Sequence, residues 1–278
     1  MKHVSGLVYY WPLGESLADS KSKKDIKIKL KGEITTNRFN ETNSALRFNE
    51  GYGEIQSGVY FEKSGFTFMI WVKVNSYIQA LHQRIFEFGN GRNADNIALS
   101  INQGLIRVLL GNSDTLKVCL TNHQVELNKW NHYTVTVGHS DSYFYLNGNN
   151  LMACPSLAEF LKEIFENIER SKNLIGGSHW NDNEYSNFDG ELDDLKIFNR
   201  QLSDYEIILE KENTGSKVYG QFLHIYQSMS LFTSGLVHYW PMAGSTNDMI
   251  NSKHITIQNG NLTTDRFGNK QSGISLDR

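Results

Sequence analysis

The sequence predicts an all-β fold in which two antiparallel sheets pack face to face as a β-sandwich, with one inserted amphipathic helix and one short C-terminal helix. Aromatic and β-branched residues gather in short segments, such as FTFMIWVKV at 66–74. Turn residues, such as Gly89-Asn90-Gly91, separate these segments at even spacing. Many short strands with regular turns are typical of sandwiches and barrels.

Local signals define one hairpin and the two helices. Asn147-Gly148 is the strongest hairpin signal, because both residues tolerate a positive φ. The segment 156–170 has apolar residues at helical spacing, which predicts an amphipathic helix capped by Ser156. This helix either covers one end of the sandwich or binds a partner. Ser203 followed by Glu206 predicts a capping box and therefore a second, short helix.

The chain repeats part of its own sequence. SGLVYYW at 5–11 recurs as SGLVHYW at 234–240, and ITTNRF at 34–39 recurs as LTTDRF at 262–267. Such self-similarity indicates repeated domains. We therefore predict a larger multidomain protein, of which this chain holds a first sandwich at 4–212, a connector at 213–233 and the start of a second copy at 234–278.

Composition excludes several classes of protein. The formal net charge of −3 gives no field that would favour nucleic acid, and no apolar stretch approaches the ~20 residues that a membrane span needs. The N-terminal sequence lacks the apolar core of a signal peptide, which alone would favour the cytosol, but the interrupted second copy indicates a fragment. Cys119 and Cys154 cannot form a disulfide framework or a complete zinc site, and they are either bridged or two buried thiols.

The segments occur in an order that resembles a known family. They include GLVYYW at 6–11, ALRF at 45–48, LNKWNHY at 127–133, YLNG at 145–148 and, most specifically, FDGELDDLKIFNRQLS at 188–203. Together they resemble a laminin-G-like jelly-roll domain of the concanavalin-A-like lectin and glucanase superfamily. The resemblance implies a jelly roll in an extracellular or cell-surface protein. It does not imply one ligand, because the family includes sugar binders and protein binders.

The resemblance also raises the question of an enzyme, because related glucanases carry an alternating Glu-x-Asp-x-(x)-Glu motif on one strand. Retaining glycosidases need two carboxylates about 5 Å apart. Glu191 and Asp193 begin that motif, but Leu195 and Lys196 occupy both places where the second glutamate could lie. The general acid/base is missing, so we predict a protein that is not an enzyme. His132 is explained better as a packing residue than as part of a catalytic triad.

Relatives of this family often bind one calcium ion that ties the N-terminal segment to the last strand. Asp19 and Asp193 match those regions, and carboxylates are calcium ligands. Asp193 alternates in phase with Leu195 and Ile197, which predicts that its carboxylate points toward the sandwich interior and needs a partner. The sequence leaves calcium, Arg38 and backbone amides open as that partner, so structural calcium is the candidate cofactor.

The candidate ligand site is the loop before the last strand. Sugar-binding sandwiches use aromatic platforms with amide and carboxylate side chains, which Trp180, Asn181, Asp182 and Tyr185 supply. The alternative is a polar loop whose Trp180 packs against the sheet. We predict an extracellular recognition or adhesion module that binds a carbohydrate or a protein ligand. A carbohydrate-binding accessory domain of a larger enzyme and a structural spacer are the alternatives.

Overall fold

The computed structural model describes residues 3–78, 81–92, 94–163, 165–180 and 185–213, and the backbone of 260–263 and 273–276. The chain divides into two compact units, Met1–Gly220 and Gln221–Arg278. Most of the predicted connector and of the predicted second copy lies outside the described residues, so the predicted domain limits stay predictions. None of the described helices is both long enough and apolar enough to cross a membrane.

The described part of the first unit consists of strands and two short helices. The strands are β1 Leu7–Trp11, β2 Ile26–Thr35, β3 Ala45–Ile55, β4 Phe66–Ser76, β5 His82–Gly89, β6 Asn96–Asn102, β7 Leu105–Gly111, β8 Leu116–Gln124, β9 Trp130–Val137, β10 Ser142–Leu146, β11 Asn149–Ala153, β12 Lys172–Ile175, β13 Tyr185–Ser186 and β14 Phe188–Phe198. The helices are α1 Pro155–Glu163 and α2 Asp204–Glu212.

Two arms of sheet share the strand β3. Hydrogen bonds connect the strands in the order β11-β10-β9-β4-β14-β3-β12-β5-β6-β7-β8, while β1 pairs with β14 and β2 with β3. The first half of β3 lies beside β14, and its last three residues lie beside β12. We call the strands from β11 to β14 the first arm and those from β12 to β8 the second arm. Neighbouring strands within both arms run antiparallel.

The two arms face each other across one hydrophobic core. Even-numbered residues of β4 from Phe66 to Val74 belong to this core, as expected for a strand whose side chains alternate between faces. The ring of Phe68 on β4 lies 5.0 Å from that of Phe86 on β5, so side chains of both arms meet directly. The predicted two-sheet sandwich is therefore confirmed.

The predicted hairpin and the second helix are confirmed in detail. Asn147 and Gly148 connect β10 to β11 with φ values of 54° and 86°. Ser203 caps α2, because its Oγ accepts a hydrogen bond from the Glu206 amide at 3.4 Å. The Glu206 carboxylate accepts in return from the Ser203 amide at 3.0 Å, which completes the capping box.

Helix α1 covers part of the core as predicted, but it is shorter than predicted. It ends at Glu163 rather than at 170, because Phe165 turns into the core and Arg170 pairs with Gly58, and these contacts replace further helical turns. The predicted Ser156 cap is wrong. Ser156 lies inside the helix and donates its hydroxyl hydrogen to the carbonyl oxygen of Val118 at 3.1 Å.

A disulfide bond fixes the start of α1 on the second arm. It joins Cys119, on β8, to Cys154, the residue before the helix. The sequence left a bridge and two buried thiols open, and the structure has the bridge.

The second unit contains one described hairpin, β15 Gly260–Thr263 with β16 Gly273–Leu276. Its register is Gly260 with Leu276 through Thr263 with Gly273. Subtracting 228 from these numbers gives Gly32 with Phe48 through Thr35 with Ala45, and these are pairs of β2 with β3. The offset of 228 is also the one that aligns ITTNRF at 34–39 with LTTDRF at 262–267.

Candidate ligand-binding site

A cleft of about 470 Å³ lies beside β13 and is lined by residues of β2, β3, β4 and β5. Its apolar surface comes from Leu30, Ile78 and the ring of Tyr185. Leu30 and Ile78 are 39% and 51% exposed, which is high for large aliphatic side chains. Lys31 and Glu50 also line the cleft, and Lys31 Nζ lies 3.5 Å from Glu50 Oε2. The cleft therefore offers apolar contact next to charged groups.

Two polar side-chain atoms of residues that line the cleft are buried without a hydrogen-bond partner among the described residues. They are Oε1 of Gln83 and Oγ of Ser186. Gln83 is only 3% exposed, and its Nε2 donates to the carbonyl oxygen of Asn187 at 3.1 Å, which fixes the amide. An unsatisfied buried polar group costs about 1–3 kcal/mol. Gln83 and Ser186 therefore bring unused hydrogen-bonding capacity to the lining of the cleft.

Tyr185 connects the cleft to the outer face of the second arm. Its ring stacks on His82 at 5.2 Å and lies 5.5 Å from the ring of Trp180. The Arg84 guanidinium lies 4.8 Å from the centre of the Tyr185 ring. Among the predicted ligand residues that the structure describes, Tyr185 lines the cleft.

Trp180 packs on the sheet rather than lining the cleft. It is 8% exposed and forms a cluster with Ala98 and Leu109 of the second arm. The Arg84 guanidinium lies 5.3 Å from the centre of its ring. Asn181 and Asp182, the other two predicted ligand residues, lie outside the described residues.

The loop that carries Trp180 is tied to Glu87 on β5. The Ser178 hydroxyl donates to Glu87 Oε2 at 2.9 Å, and the amide of His179 donates to Oε1 at 3.2 Å. The Trp180 amide donates to Ser178 Oγ at 3.1 Å. Glu87 therefore holds the loop against the outer face of the second arm.

Asp193 does not point toward the interior, and that prediction is wrong. The register of β14 against β4 shifts between Asp193 and Lys196, and Asp194 has a φ of 51°, as in a β-bulge. Asp193 lies opposite Trp71, on the face of the first arm away from the core. The bulge breaks the alternation that would have placed Asp193 in phase with Leu195.

Arg38 is the partner of Asp193 and also of Asp194. It donates to the Asp193 carboxylate and, from Nη2, to Asp194 Oδ2 at 2.8 Å. The Tyr10 hydroxyl donates to Asp194 Oδ1 at 2.5 Å. All three charged side chains are buried. Burial raises the pKa of Asp193, as does the neighbouring Asp194, while Arg38 opposes the increase.

Asp19 has separate partners from Asp193. Its carboxylate accepts from the Tyr10 amide at 2.5 Å and from the amide and hydroxyl of Ser22. The described residues contain no group of three or more His, Cys, Asp or Glu side chains that could hold a metal ion. The cation Arg38 already contacts Asp193, so the two aspartates do not fit a shared calcium site.

Lys196 and Glu210 join the last strand to α2. Lys196 Nζ donates to Glu210 Oε2 at 3.1 Å, and both side chains are buried. Burial raises the pKa of Glu210, but Lys196 and His3 outweigh it and lower the pKa to about 2. Lys196 stands at one of the positions where a glucanase would have its second glutamate, and here it forms a buried ion pair with Glu210.

The other candidate catalytic groups also have structural surroundings. Glu191 forms an ion pair with Lys73 at 2.7 Å, and Leu195 lies in the core. His132 stacks on Trp71 at 5.0 Å, and burial, with nearby Lys211 and Lys196, lowers its pKa well below the usual value. A buried histidine with a lowered pKa stays neutral at pH 7, and its ring contact with Trp71 gives it a packing role.

The two-sheet antiparallel sandwich defines the fold class of the first unit. This chain belongs to the concanavalin A-like lectin/glucanases superfamily, because the laminin-G-type model of that family matches residues 48–208. A search of curated proteins finds no match.

Solved structures with the same fold share little sequence with this chain. Domain 4 of an extracellular arabinanase from Geobacillus stearothermophilus, solved with arabinotriose, is 16% identical with a TM-score of 0.54, over 74% of this chain and 98% of that domain. The ligand-binding domain of botulinum neurotoxin serotype D, solved with N-acetylneuraminic acid, is 16% identical with a TM-score of 0.55, over 74% and 50%. Trypanosoma rangeli sialidase is 17% identical with a TM-score of 0.54, over 74% and 32%. The chain thus spans nearly the whole arabinanase domain but half or less of the other two, and these similarities show the fold.

Proposed function

We propose that the first unit is a non-catalytic recognition module that binds a carbohydrate in the cleft beside β13. The observation that carries this proposal is that Tyr185, Gln83 and Ser186 line one cleft, and that Gln83 and Ser186 each have an unused hydrogen-bonding atom. Saccharides present apolar C–H faces that pack on aromatic rings, and hydroxyl groups that both donate and accept hydrogen bonds. Few polar groups in a partly apolar cleft are the usual composition of a small-molecule site.

The similar structures support this class of ligand by analogy. Arabinotriose and N-acetylneuraminic acid are the saccharides in two of them. Fold analogy alone does not define a ligand, so the proposal depends on the cleft and uses these saccharides as probes.

The non-catalytic part of the proposal rests on the carboxylates. Glycoside hydrolysis needs two of them in acid, base or nucleophile roles. Glu191 and Asp193 are each paired with a cation, and the third motif position holds no acid. Incubation of the chain with arabinotriose should release no arabinose, and release that is lost in Glu191→Gln would overturn this part of the proposal.

Binding is best tested by calorimetric titration of the whole chain with arabinotriose and with N-acetylneuraminic acid. We expect Tyr185→Ala to raise Kd roughly five- to tenfold, as loss of an aromatic contact worth about 1 kcal/mol or more implies. Ile78→Ser at the cleft should also weaken binding. Leu127→Ser is the matched control, because Leu127 is 48% exposed and does not line the cleft. Binding that Tyr185→Ala and Ile78→Ser leave unchanged would place the ligand elsewhere.

An extracellular adhesion setting is the preferred context, and an accessory domain of an enzyme is the alternative. The disulfide favours an oxidising compartment. The shared register of the two hairpins supports a second copy of the sandwich, and linked copies would let weak sites act together. The near-complete coverage of the arabinanase domain favours the accessory alternative. The domains encoded by the same gene separate them, since further copies of the sandwich indicate adhesion and a catalytic domain indicates an accessory role.

The family resemblance implies calcium at Asp19 and Asp193, whereas we propose that protein donors take the place of that ion. A dication bound only by the native state raises the melting temperature by mass action. Because both carboxylates already accept protein donors, we expect the same melting temperature in millimolar calcium and in chelator. A calcium-dependent rise that Asp19→Asn removes would instead support the metal.

A further inference from the structure

A row of polar side chains crosses the outer face of the second arm next to Tyr185. Arg84 on β5 pairs in register with Ser100 on β6, and Ser100 pairs with Arg107 on β7. The three side chains therefore lie side by side on one face. Arg84 Nη1 donates to Ser100 Oγ at 3.2 Å. We call these three residues the arginine row.

The arginine row has more positive than negative charge among the described residues. Glu87 is the carboxylate that contacts it, through Arg84 Nε at 3.1 Å, and both of these side chains are fully buried. Glu87 also accepts from Ser178 and His179, so its oxygens are already used. Burial lowers the pKa of Arg107, and the nearby charge of Arg84 lowers it further, while a hydrogen bond with the Tyr185 side chain raises it. One guanidinium charge thus lacks a compensating carboxylate in the described part of the chain.

Three buried N–H donors at this place have no hydrogen-bond partner among the described residues. They are Nη2 of Arg84, Nη1 of Arg107 and Nε1 of Trp180. Arg84 is 0% exposed and Trp180 is 8% exposed, so water has little access to either side chain. Buried charged donors are normally paired, because leaving them without an acceptor is costly. Arg107 is only partly buried and gives the cluster a side that faces solvent.

We propose that the arginine row and Trp180 form an anion subsite for an acidic saccharide, one that carries a carboxylate or a sulfate ester. This inference rests on the proposed function, and it specifies the class of saccharide. Guanidinium groups hold planar and tetrahedral oxyanions through paired, charge-assisted hydrogen bonds. Tyr185 links the subsite to the cleft, since its ring contacts Trp180 and Arg84 and also lines the cleft.

The experiment compares matched saccharides on the whole chain. Calorimetric titrations would use trigalacturonate, its methyl ester, which has the same size but no charge, and a sulfated trisaccharide. We expect the acidic trisaccharide to bind at least tenfold more tightly than its ester, and Arg107→Met to reduce that ratio at least tenfold. Arg47→Met is the matched control, because Arg47 lies on the first half of β3, is 42% exposed and has its own carboxylate neighbour, Glu33. It should leave the ratio unchanged.

A stability measurement separates a binding role from a structural role. Arg107→Met removes one of two neighbouring positive charges, so the melting temperature of the free protein should stay equal or rise. A structural arginine would lower it. The rise in melting temperature that millimolar sulfate causes should also be smaller in Arg107→Met than in the natural chain.

The outcomes distinguish this inference from the proposed function. Equal binding of trigalacturonate and its ester overturns the anion subsite and leaves the carbohydrate cleft standing. Binding of neither overturns the anion subsite, and it overturns both proposals when arabinotriose and N-acetylneuraminic acid also fail to bind. The carboxylates of residues 182 and 184 lie outside the described residues, and Asp182→Asn with Glu184→Gln tests them. The double variant could destabilise the free protein and still bind the acidic trisaccharide as tightly as the natural chain does. In that case those carboxylates are the partners of the arginine row, and the proposal is wrong.

Discussion

Replacement of Arg38 by methionine tests the buried charge cluster on the first arm. Arg38 contacts both Asp193 and Asp194, and all three side chains are at least 95% buried. Methionine keeps much of the length and apolar contact of arginine but removes the charge and the donors. Two neighbouring carboxylates would then remain without Arg38, next to the Tyr10 hydroxyl.

The expected loss follows from what a broken buried ion pair costs. Removal of one partner destabilises a protein by about 3–5 kcal/mol, because an uncompensated buried charge remains. The pKa of Asp193 is already raised in the natural chain, and it should rise further once Arg38 is absent. Between the ordinary aspartate pKa and this raised value, the folded state binds more protons than the unfolded state. Its stability therefore increases as the pH falls. We expect a loss of about 3 kcal/mol or more at pH 7 and a smaller loss at pH 5.

Urea unfolding at pH 7 and pH 5, with each variant compared with the natural chain, provides the assay. Asp193→Asn is the matched variant. Arg38 keeps its ion pair with Asp194 in this variant, so the loss of unfolding free energy should be smaller than in Arg38→Met. Arg47→Met is the surface control, because its ion pair with Glu33 is exposed and 3.9 Å long, which predicts a loss under about 1 kcal/mol. A cost of Arg38→Met below that of Arg47→Met, or one that does not change with pH, would refute the reasoning.

Three further perturbations have defined outcomes. Trp180→Ala should lower the free energy of unfolding by about 3–5 kcal/mol, because the ring is buried on the sheet; calorimetry that finds lost binding at unchanged stability would contradict this. Replacing Cys119 and Cys154 by alanine should cost about 4 kcal/mol, as loop closure over a separation of 35 residues implies; an unchanged urea midpoint would show that the bridge adds no stability. His132 stays neutral in the fold but binds a proton below about pH 6.5 when unfolded, so stability should fall from pH 7.5 to 5.5. His132→Gln should flatten that dependence, and an equal slope in both proteins would exclude His132 as the cause.

Local patterns predicted much of the fold because short-range chemistry decides those features. Asn147-Gly148 forms the expected turn, and Ser203 with Glu206 forms the expected capping box. Alternation in β4 correctly indicated which side chains face the core. Each of these depends on a few consecutive residues.

Features that depend on distant contacts escaped prediction. The bulge at Asp194 is visible only in the pairing of β14 with β4, and it moves Asp193 to the outer face. Helix α1 stops early because Phe165 and Arg170 find tertiary partners. The helical spacing of apolar residues continues beyond Glu163, so the sequence pattern does not mark where the helix ends.

The candidate site was predicted only in part, for the same reason. Tyr185 was predicted from the aromatic and polar composition of its loop, and it lines the cleft. Gln83 and Ser186 are far apart in sequence, and no local signal marks an amide or hydroxyl that will be buried without a partner. Arg84 and Arg107 escaped notice because their proximity follows from the register of three strands. Alternation in β5 and β7 could have placed both on the outer face.

The pairing of β1 with β14 has a mechanical consequence. Leu7 lies opposite Phe198, and beyond this pair the Val4 amide donates to Glu210 at 2.7 Å. Tension applied to both ends of the sandwich would thus load the open end of the β1–β14 ladder. Antiparallel hydrogen bonds pulled from that end break one pair at a time, whereas a sheared ladder breaks them together. The module should therefore begin to unfold at low force, when β1 peels away from β14. The strands around the cleft beside β13 should stay folded during this first step.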